Sequence, residues 1–579
     1  MATDLRRRRM SGMSPETLRL LVIVGIIVGV GLLAFVALHV SRARTGVPGP
    51  QEEIPFNPLA LAILLAGGKI TWTTTATITF LGGIVCSYGA WMIIMLVKPK
   101  KHTARVDTVQ RFLGDKSDIS SFSKNAAMAQ AKKWLPADMA EKYPGLRFGH
   151  VPHKPKIGLW SSWEDLYLIV FGPRMGKTTT QVIPAIFTAP GAVVTTSNKR
   201  DIIDDTIAVT SARGEVWVFD PQGIAHGFNQ RRWFFDPLDM VRQDPVKMDT
   251  AAIALADIFR CAAYGDQDGG DFWVVKGRDI VARMFLAAAI DHRPITDCFV
   301  WINDMDDRTP VGILADHPEW QAQAKALEAD YSIVEETKSG LFSQGQQMAA
   351  PLGRRAIAEW ITPAAGGYRF DPDQFVRTSS DTLYLLSKDG PDNAAALTTA
   401  LTAAVMQAAE RYGEECGGRL PVPLVAPLDE AANCVRWPEL PKLYSHYGSR
   451  SIILMTILQS YAQGVGVWGE EGMEALWSAA ALVMYGGGVR DENMLQKMEA
   501  LIGEAAEINR SRSTSRDSTS TSTSYEEKKI LTVAELASLE AGRAIVFGAK
   551  RRPVLAELEP FYERTFSKDI EEARKGARK

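Results

Sequence analysis

The chain has 579 residues, of which 46% are hydrophobic and 23% are charged, and this balance excludes general disorder. Because a single hydrophobic core stops growing at roughly 250–300 residues, the length predicts at least two folded units. The net charge of −2 at pH 7 excludes attraction of nucleic acid by the protein as a whole, so such contact requires a local basic patch. The five scattered cysteines form no CxxC pair, which argues against a zinc site and indicates a reducing compartment.

Two apolar segments near the N-terminus predict a membrane anchor. Residues 20–40 and 77–97 contain no Asp, Glu, Lys or Arg, and each is long enough to cross the bilayer core as a helix. Basic residues cluster before the first segment and after the second, which predicts a hairpin in the plasma membrane with both chain ends in the cytoplasm. A cleaved signal peptide is the alternative, but no small-x-small cleavage site follows the first segment and a second one comes soon after.

The remaining sequence predicts a parallel α/β domain with a helical insertion. Apolar runs alternate with helical patterns on both sides of a long segment that has helical spacing only. The Ser/Thr-rich residues 511–524 predict a mobile loop. The predicted organisation is a basic cytoplasmic tail (1–17), a transmembrane hairpin (18–97), a connector (98–161), a nucleotide-binding α/β domain (162–247 and 364–556), an all-α insert (248–363) and a charged tail (557–579).

The stretch LYLIVFGPRMGKTTTQVIPAIF, residues 166–187, has the pattern of a phosphate-binding loop. A lysine at position 177 would reach the β- and γ-phosphates of ATP, and the Thr178 hydroxyl would bind Mg²⁺. The first loop position holds Phe171 where the pattern has glycine, which the loop tolerates if the φ angle there is negative. The predicted nucleotide-binding residues are Gly172, Pro173, Arg174, Met175, Gly176, Lys177, Thr178 and Thr179.

An acidic pair follows the apolar strand in PLVAPLDEAAN. Asp429 is predicted to hold the Mg²⁺ shell together with Thr178, and Glu430 to orient or deprotonate the attacking water. Acidic residues also favour the first turn of a helix, so capping is the alternative for the pair alone. The phosphate-loop pattern upstream favours the catalytic interpretation.

Two further polar residues flank the next strand, SIILMTILQS. Gln459 ends this strand and is a candidate sensor of the γ-phosphate, the alternative being an ordinary surface glutamine. Arg450 precedes the strand and is a candidate arginine finger for the site of a neighbouring subunit, the alternative being a solvated turn residue.

Together these segments resemble the coupling proteins of type IV secretion and conjugation systems, of the TraG-like and TraD-like kind and in the style of actinobacteria. Lys199 and Asp220 fall in shared motifs, and neither is assigned a catalytic role. The resemblance covers nearly the whole chain, from the N-terminal anchor through SWEDLYLIVFGPRMGKTTTQVIPAI, TTSNKRDIIDDT, VWVFDPQG, DFWVVKGRDIVARMFLAAAI, PLDEAANCVRWPELPKLYSHYGSRSIILMTILQSYAQ, MYGGGVRDENMLQKMEALIGE and LTVAELASLEAGRAIVFGAKRRPV.

The resemblance implies a RecA-like P-loop domain interrupted by an all-α domain, and a ring that is hexameric when active. ATP hydrolysis with Mg²⁺ would bring single-stranded DNA, with its relaxase or relaxosome, to the type IV secretion channel proteins. By motif position the catalytic set is Lys177, Asp429, Glu430, Gln459 and Arg450, with Thr178 and Asp429 at the metal.

Two alternative functions stay open on the sequence. One is a coupling ATPase for protein-only secretion, which DNA-stimulated ATP turnover would distinguish from DNA transfer. The other is a non-hydrolysing membrane receptor for the substrate complex, which the intact pair Asp429 and Glu430 disfavours.

Overall fold

A computed structural model describes residues 15–45, 53–97, 104–226, 232–266, 270–363, 367–390, 393–514 and 519–564. The chain divides into two compact units, residues 1–103 and residues 104–579.

The first unit consists of three helices, Pro15–Thr45 (α1), Pro58–Ala66 (α2) and Thr74–Val97 (α3). Asn57 caps α2, because its side chain accepts a hydrogen bond from the Leu59 amide at 3.0 Å. A small apolar cluster that includes Leu38 and Leu61 joins the helices. Among the residues described, no helix combines the length and apolar character that crossing a membrane requires. Helices cover both segments predicted to span, 20–40 and 77–97, but the two-span anchor is not supported.

The second unit is built on an eleven-stranded sheet with the order β2-β1-β15-β14-β11-β3-β10-β9-β4-β8-β5. The strands of the whole unit are Leu146–Val151 (β1), Lys154–Ser161 (β2), Tyr167–Val170 (β3), Val193–Ser197 (β4), Val216–Phe219 (β5), Trp233–Phe234 (β6), Tyr368–Arg369 (β7), Thr382–Leu386 (β8), Leu424–Leu428 (β9), Ile452–Leu458 (β10), Leu482–Tyr485 (β11), Glu504–Thr514 (β12), Thr519–Lys529 (β13), Arg543–Gly548 (β14) and Val554–Glu557 (β15).

The sheet has a parallel part and an antiparallel edge. The run β11-β3-β10-β9-β4-β8-β5 is parallel throughout, whereas β14, β15, β1 and β2 extend it in antiparallel pairs. Strands β3, β4, β8, β9, β10 and β11 are buried along their whole length, as continuous apolar runs with helices on both faces require. All parallel strands end at one edge of the sheet, called here the carboxyl edge.

The helices of the second unit are Lys116–Ser121 (α4), Lys124–Ala131 (α5), Ala137–Lys142 (α6), Ile183–Thr188 (α7), Asp201–Arg213 (α8), Asp239–Arg242 (α9), Met248–Tyr264 (α10), Phe272–Ile290 (α11), Asp297–Asn303 (α12), Thr309–Ala315 (α13), Gln321–Tyr331 (α14), Glu335–Ala349 (α15), Arg355–Ile361 (α16), Pro372–Thr378 (α17), Ala395–Glu415 (α18), Ala431–Cys434 (α19), Leu440–Leu443 (α20), Tyr461–Ala479 (α21), Glu492–Ile502 (α22) and Val533–Ala537 (α23). A π-helical turn, Thr178–Val182, precedes α7.

Helices α10 to α16 occupy the stretch predicted as an all-α insert. They are inserted between β5 and β8, and α11 packs against both α10 and α15. A short parallel pair, in which Trp233 is opposite Tyr368, closes the base of the insertion. Trp233 and Trp360 also make edge-to-face ring contact there, with centroids 5.4 Å apart. The insertion therefore begins and ends beside β5, the edge strand of the main sheet, where Trp217 contacts both Trp233 and Tyr368.

Two segments differ from the sequence prediction. Residues 98–161 were predicted as a connector, but β1 and β2 join the sheet, where His150 pairs with Glu557 of β15. The Ser/Thr-rich residues 511–524 were predicted as a loop, but residues 511–514 belong to β12 and 519–524 to β13, which pair antiparallel, while 515–518 lie outside the described residues. Threonine favours strands, and two paired strands satisfy each other's backbone hydrogen bonds without a hydrophobic core. A low content of apolar residues was therefore not sufficient to predict a loop.

Candidate nucleotide-binding site

The predicted phosphate loop follows β3 at the carboxyl edge, between β10 and β11. Phe171 is fully buried, and its amide donates to the Leu458 carbonyl of β10 at 3.1 Å. Within the described chain, Phe171 is not among the residues with positive φ, so glycine is not needed at this first position. The departure from the usual pattern therefore leaves the backbone path of the loop intact.

A glycine triplet after β11, Gly486–Gly488, packs directly against the loop. The Gly172 amide donates to the Gly487 carbonyl at 2.9 Å, and a Cβ on Gly172 would collide with Gly488. A Cβ on Gly486 would lie 2.6 Å from the ring of Phe171. The triplet thus leaves space for the loop and for Phe171, the bulky side chain at the position where the usual loop pattern has its first glycine. The motif MYGGG was visible in the sequence, but nothing local connected it with residues more than three hundred positions away.

The middle of the loop turns through two left-handed residues. Arg174 has φ 62° and Gly176 has φ 83°, and the Gly176 carbonyl accepts from the hydroxyls of Thr179 at 3.1 Å and Thr180 at 2.8 Å. Alternating right- and left-handed residues turn successive amides toward one concave side, which is the arrangement that binds phosphate. Pro173 and Arg174 are exposed at the rim, whereas Met175 to Thr179 are half-buried.

The lysine and the acidic pair predicted from distant segments meet at this loop. Lys177 Nζ forms an ion pair with Glu430 Oε1 and lies 3.5 Å from Asp429 Oδ1. Thr178 Oγ1 donates to Asp429 Oδ2 at 2.9 Å. Parallel strands β3 and β9 place both segments at the same edge, although β10 lies between them. The acidic pair is not a helix cap alone, because its carboxylates contact the loop.

Asp429 is almost completely buried, with 3% exposure. Burial raises the pKa of its carboxyl above the usual range, as does the Glu430 charge, while the Lys177 ammonium and the Thr178 hydrogen bond oppose this. Thr196 of β4 fixes the backbone here, since its hydroxyl donates to the Asp429 carbonyl at 2.7 Å. The carboxylate is thus held in place and retained near a cation rather than exposed to water.

Glu430 has a strained backbone and an incompletely satisfied side chain. Its φ of 54° and ψ of 42° are left-handed, a conformation that a non-glycine residue adopts only at a cost and often at functional sites. Gln459 Nε2 donates to Glu430 Oε1 at 2.6 Å, while the buried Oε2 accepts no hydrogen bond within the described chain. A buried carboxylate oxygen without a partner is an acceptor available for a water or substrate proton.

Arg450 lies at the other end of β10. It belongs to the turn Gly448–Arg450 before the strand, so roughly 20 Å of strand separates it from the loop of its own chain. There it forms ion pairs with Glu410 and, at 3.2 Å, with Glu414 of α18. The structure therefore joins Lys177 and Gln459 to the acidic pair and leaves Arg450 apart.

Arg564, which the sequence did not single out, holds the first turn after the loop. It is 5% exposed, and its guanidinium donates to the backbone carbonyls of Thr180 at 3.0 Å, Arg147 at 3.1 Å and Glu559 at 3.0 Å. Thr180 belongs to the π-helical turn, whose wider hydrogen-bonding pattern makes backbone carbonyls available to other donors. Burial lowers the pKa of Arg564 to about 10.

The residues present fit a nucleotide with Mg²⁺. The loop offers a concave backbone without side chains at Gly172 and Gly176, and the adjoining donors are a hydroxyl and a carboxylate, the hard oxygen ligands of this ion. Among the described residues no cluster of three or more His, Cys, Asp or Glu could hold a metal by itself. Mg²⁺ bound by one or two protein ligands with substrate phosphates matches this donor set.

The fold and this site define an α/β protein with a phosphate-binding loop. Two family models match the chain: "Type IV secretory system Conjugative DNA transfer" over residues 117–309 and "TraM recognition site of TraD and TraG" over residues 423–541. The first contains the loop, and the second contains the acidic pair, Gln459 and the glycine triplet. Among curated proteins, no match was found.

Solved structures with the same fold include the conjugative coupling protein TrwB. Its unbound monoclinic form, TrwBdeltaN70, aligns with a TM-score of 0.50 at 15% identity, covering 70% of this chain and 87% of the other. TrwB with the GTP analogue GDPNP aligns at 0.51 and 16% identity, covering 69% and 86%. TrwB with ADP and Mg²⁺ aligns at 0.50 and 17%, covering 69% and 85%. The two family models match separate parts of the chain and support its similarity to type IV secretion coupling proteins, and the solved structures show that it shares the fold of TrwB.

Proposed function

We propose that this protein is an ATPase that couples a DNA substrate to a type IV secretion channel during conjugative transfer. One observation carries the enzymatic part: Lys177, Thr178, Asp429 and Glu430 contact one another at the carboxyl edge. The two family models support the transfer part, since one describes conjugative DNA transfer and the other a recognition site for TraM. The relaxosome and the channel proteins are the partners that this family implies.

Each residue at the site has a distinct proposed role. The Lys177 ammonium, now bonded to Glu430, would exchange that contact for the β- and γ-phosphates. Release from Lys177 would leave Glu430 Oε1 held by Gln459, with Oε2 available to accept a proton from the attacking water. Gln459 directly follows β10, so a change in its contact with Glu430 when a γ-phosphate binds would be passed to that strand.

Thr178 and Asp429 would hold Mg²⁺, whose charge, when bound, neutralises the phosphate oxygens. At present the Thr178 hydroxyl donates directly to Asp429 Oδ2. A cation between them would make the charged form of Asp429 favourable, against the burial that now raises its pKa. Nucleotide binding with the ion would therefore lower the pKa of this carboxyl.

The proposed assembly is a ring, hexameric when active, with nucleotide between neighbouring RecA-like domains formed by residues 162–247 and 364–556. The helical stretch 248–363 would be the separate all-α domain of each subunit. Arg450 would serve the neighbouring site in such a ring, since it is half-buried at the amino end of β10 and remote from its own loop. Binding of ATP by one subunit would then be felt by the next.

We also propose that the N-terminal unit associates with the plasma membrane. Large apolar side chains are exposed along its helices, among them Ile63 at 65%, Ile78 at 72% and Val85 at 70%. Exposed apolar side chains in such number favour burial in lipid or in another protein. Membrane fractionation before and after an alkaline wash would test this: the proposal expects the protein to stay with lipid, and full release by the wash would contradict it.

The Lys177→Ala variant tests the function as a whole. ATP hydrolysis should fall by about a hundredfold or more, since one charged donor at a phosphoryl-transfer site contributes on that order, and conjugative transfer should fall with it. The matched control is Lys247→Ala, whose side chain is 75% exposed and lies outside the site. Normal transfer with the Lys177 variant, at normal protein level, would refute the motor assignment.

A further inference from the structure

A second cleft opens at the carboxyl edge, away from the phosphate loop. It has a volume of about 630 Å³ and lies beyond the ends of β4, β5 and β8. The loops after those three strands line one side, and the start of α16 in the helical insertion lines the other. Crevices outside the carboxyl ends of parallel strands are the usual ligand sites of open α/β sheets.

The cleft is basic although the chain is nearly neutral. Lys199, Arg200, Arg354 and Lys388 line it, together with His226, and none of the described acidic residues does. Lys199, Arg200 and Lys388 are exposed, so their charged groups are accessible to a ligand. Arg200 is in part neutralised by Asp204, at 2.8 Å, and Asp389 next to Lys388 lies 3.8 Å from Arg436.

The loops that carry these cations are tied to one another. The Lys388 amide donates to the Gln222 side chain at 2.7 Å, and the Gln222 amide group donates back to the Lys388 carbonyl at 3.0 Å. Arg200 Nη1 donates to the His226 carbonyl at 2.9 Å. Asp220 closes its own turn by accepting from the amides of Ile224 and Ala225, both at 2.7 Å. The cleft is therefore preformed rather than a set of independent surface side chains.

Strand β4 connects this cleft with the nucleotide site. Thr196, the fourth residue of β4, donates to the Asp429 carbonyl, and Lys199 follows three positions later. Asp201, at the start of α8, is near enough for its charge to raise the pKa of Asp429. A shift of Asp429 would thus be transmitted through the short segment from Thr196 to Lys199, which ends at a cation of the cleft.

We propose that this basic cleft binds the sugar-phosphate backbone of single-stranded DNA next to the nucleotide site. The inference rests on the proposed function and assigns the DNA contact that the sequence did not identify. Exposed lysines on several loops act as separate point charges, which suits successive phosphates along a strand better than one small anion. A net positive cleft attracts an acidic protein surface as well, but a regular polyanion can place one charge at each of the loops that carry the cations.

The test compares two double variants of the full chain that remove the same charge. Lys199→Ala with Lys388→Ala removes two cations of the cleft. Lys247→Ala with Lys529→Ala removes two from the surface outside it, where the side chains are 75% and 52% exposed. Binding of labelled oligo(dT) is measured by fluorescence anisotropy over a salt series, and ATP hydrolysis is measured with and without oligo(dT).

The cleft variant should bind oligo(dT) about tenfold more weakly, with a log–log salt slope smaller by about 1.4, which corresponds to two lost phosphate contacts on a single strand. Its ATP hydrolysis without DNA should equal that of wild type, while stimulation by oligo(dT) is lost. Lys199→Arg with Lys388→Arg should retain binding, because a phosphate contact here needs charge rather than shape. The control variant should behave as wild type.

If the cleft variant binds oligo(dT) and is stimulated by it as strongly as the control variant, the proposed role of the cleft in DNA binding is wrong. The proposed function of the protein is not affected by that result. The cleft is also overturned if the variant loses only inorganic phosphate, measured by calorimetry, or only a protein partner, with oligo(dT) binding unchanged. A wild-type protein that hydrolyses no ATP, or that never binds oligo(dT), would instead refute the proposed function itself. These results separate the two failures.

Discussion

The two halves of the carboxyl edge use charge in opposite ways. Around the phosphate loop the charged groups are buried and paired with one another, as Lys177 is with Glu430. In the basic cleft the cations are exposed, and the loops are held by neutral hydrogen bonds such as that of Gln222 with Lys388. Buried charges must be compensated and become strongly sensitive to substitution, whereas exposed ones stay available to a ligand and contribute little to stability.

The largest expected effect comes from Glu430→Gln at the buried site, because this variant should separate nucleotide binding from ATP hydrolysis. In Glu430→Gln the amide keeps a similar shape, so Lys177 stays free to contact phosphate, but no carboxylate accepts a proton from water. ATP hydrolysis should fall by about 10²–10⁴-fold, the usual contribution of a general base, while a fluorescent ATP analogue still binds.

The control for this prediction is Glu474→Gln, which changes an exposed glutamate of α21 that pairs with Lys497. Hydrolysis within a factor of two of wild type in Glu430→Gln would assign the water-activating role to another residue. Conjugative transfer that persists without hydrolysis would favour the non-hydrolysing receptor.

The contact between the loop and the glycine triplet should make the effects of Gly486→Ala and Phe171→Ala on the free energy of unfolding non-additive. Gly486→Ala places a methyl group against the Phe171 ring, and overpacking of this kind costs about 1–3 kcal/mol. Phe171→Ala alone should cost about 3–5 kcal/mol through lost burial. Because alanine at position 171 leaves room for the methyl group at position 486, the double variant should lose less unfolding free energy than the two single variants together.

Urea unfolding of the four proteins measures this coupling. Gly67→Ala, in the N-terminal unit, serves as a glycine control without the Phe171 contact. Additive losses would mean that Phe171 and the triplet do not constrain each other, and the account of the missing loop glycine would then be wrong.

The pH dependence of stability should reveal the buried carboxyl. The pKa of Asp429 is raised by burial, so between 3.8 and that raised value the folded state binds more protons than the unfolded state. The difference in unfolding free energy between wild type and Asp429→Asn should therefore shift against wild type as pH rises through this window, and become constant above it.

The charges of Lys177, Glu430 and Asp201 act on this carboxyl, so the comparison is repeated in a Lys177→Met background. Without the ammonium the pKa of Asp429 should rise further and the window should extend upward. A difference that grows in favour of wild type with rising pH would show that ion pairing outweighs burial.

The smallest expected effect lies on the exposed side. Lys199→Ala and Lys388→Ala should each change the free energy of unfolding by less than about 0.5 kcal/mol, as surface substitutions do. Differential scanning fluorimetry in parallel with oligo(dT) binding would show weakened binding without loss of stability. A destabilisation above about 2 kcal/mol for either residue would mark it as structural and weaken the comparison.

Local patterns predicted much of the fold and part of the site. Continuous apolar runs marked the buried strands such as β9 and β10, and the spacing of Gly176, Lys177 and Thr178 marked the loop, because both depend on neighbours in the chain. The convergence of Lys177 with Glu430 also followed from parallel strands that end at one edge. The edge strands β1 and β2 were missed, since Pro155 and the charged residues around it hide a strand that pairs at the rim.

By itself, therefore, the sequence determined the buried parallel strands and the helices between them, and it predicted the residues of the phosphate-loop motif, because these depend on periodicity and on short motifs. Only the tertiary structure decided that Gly486 must accommodate Phe171, that Arg564 holds Thr180, and that Lys199 and Lys388 share one cleft. These contacts join residues far apart in the chain, and their specificity arises from packing and strand order, which no local pattern encodes.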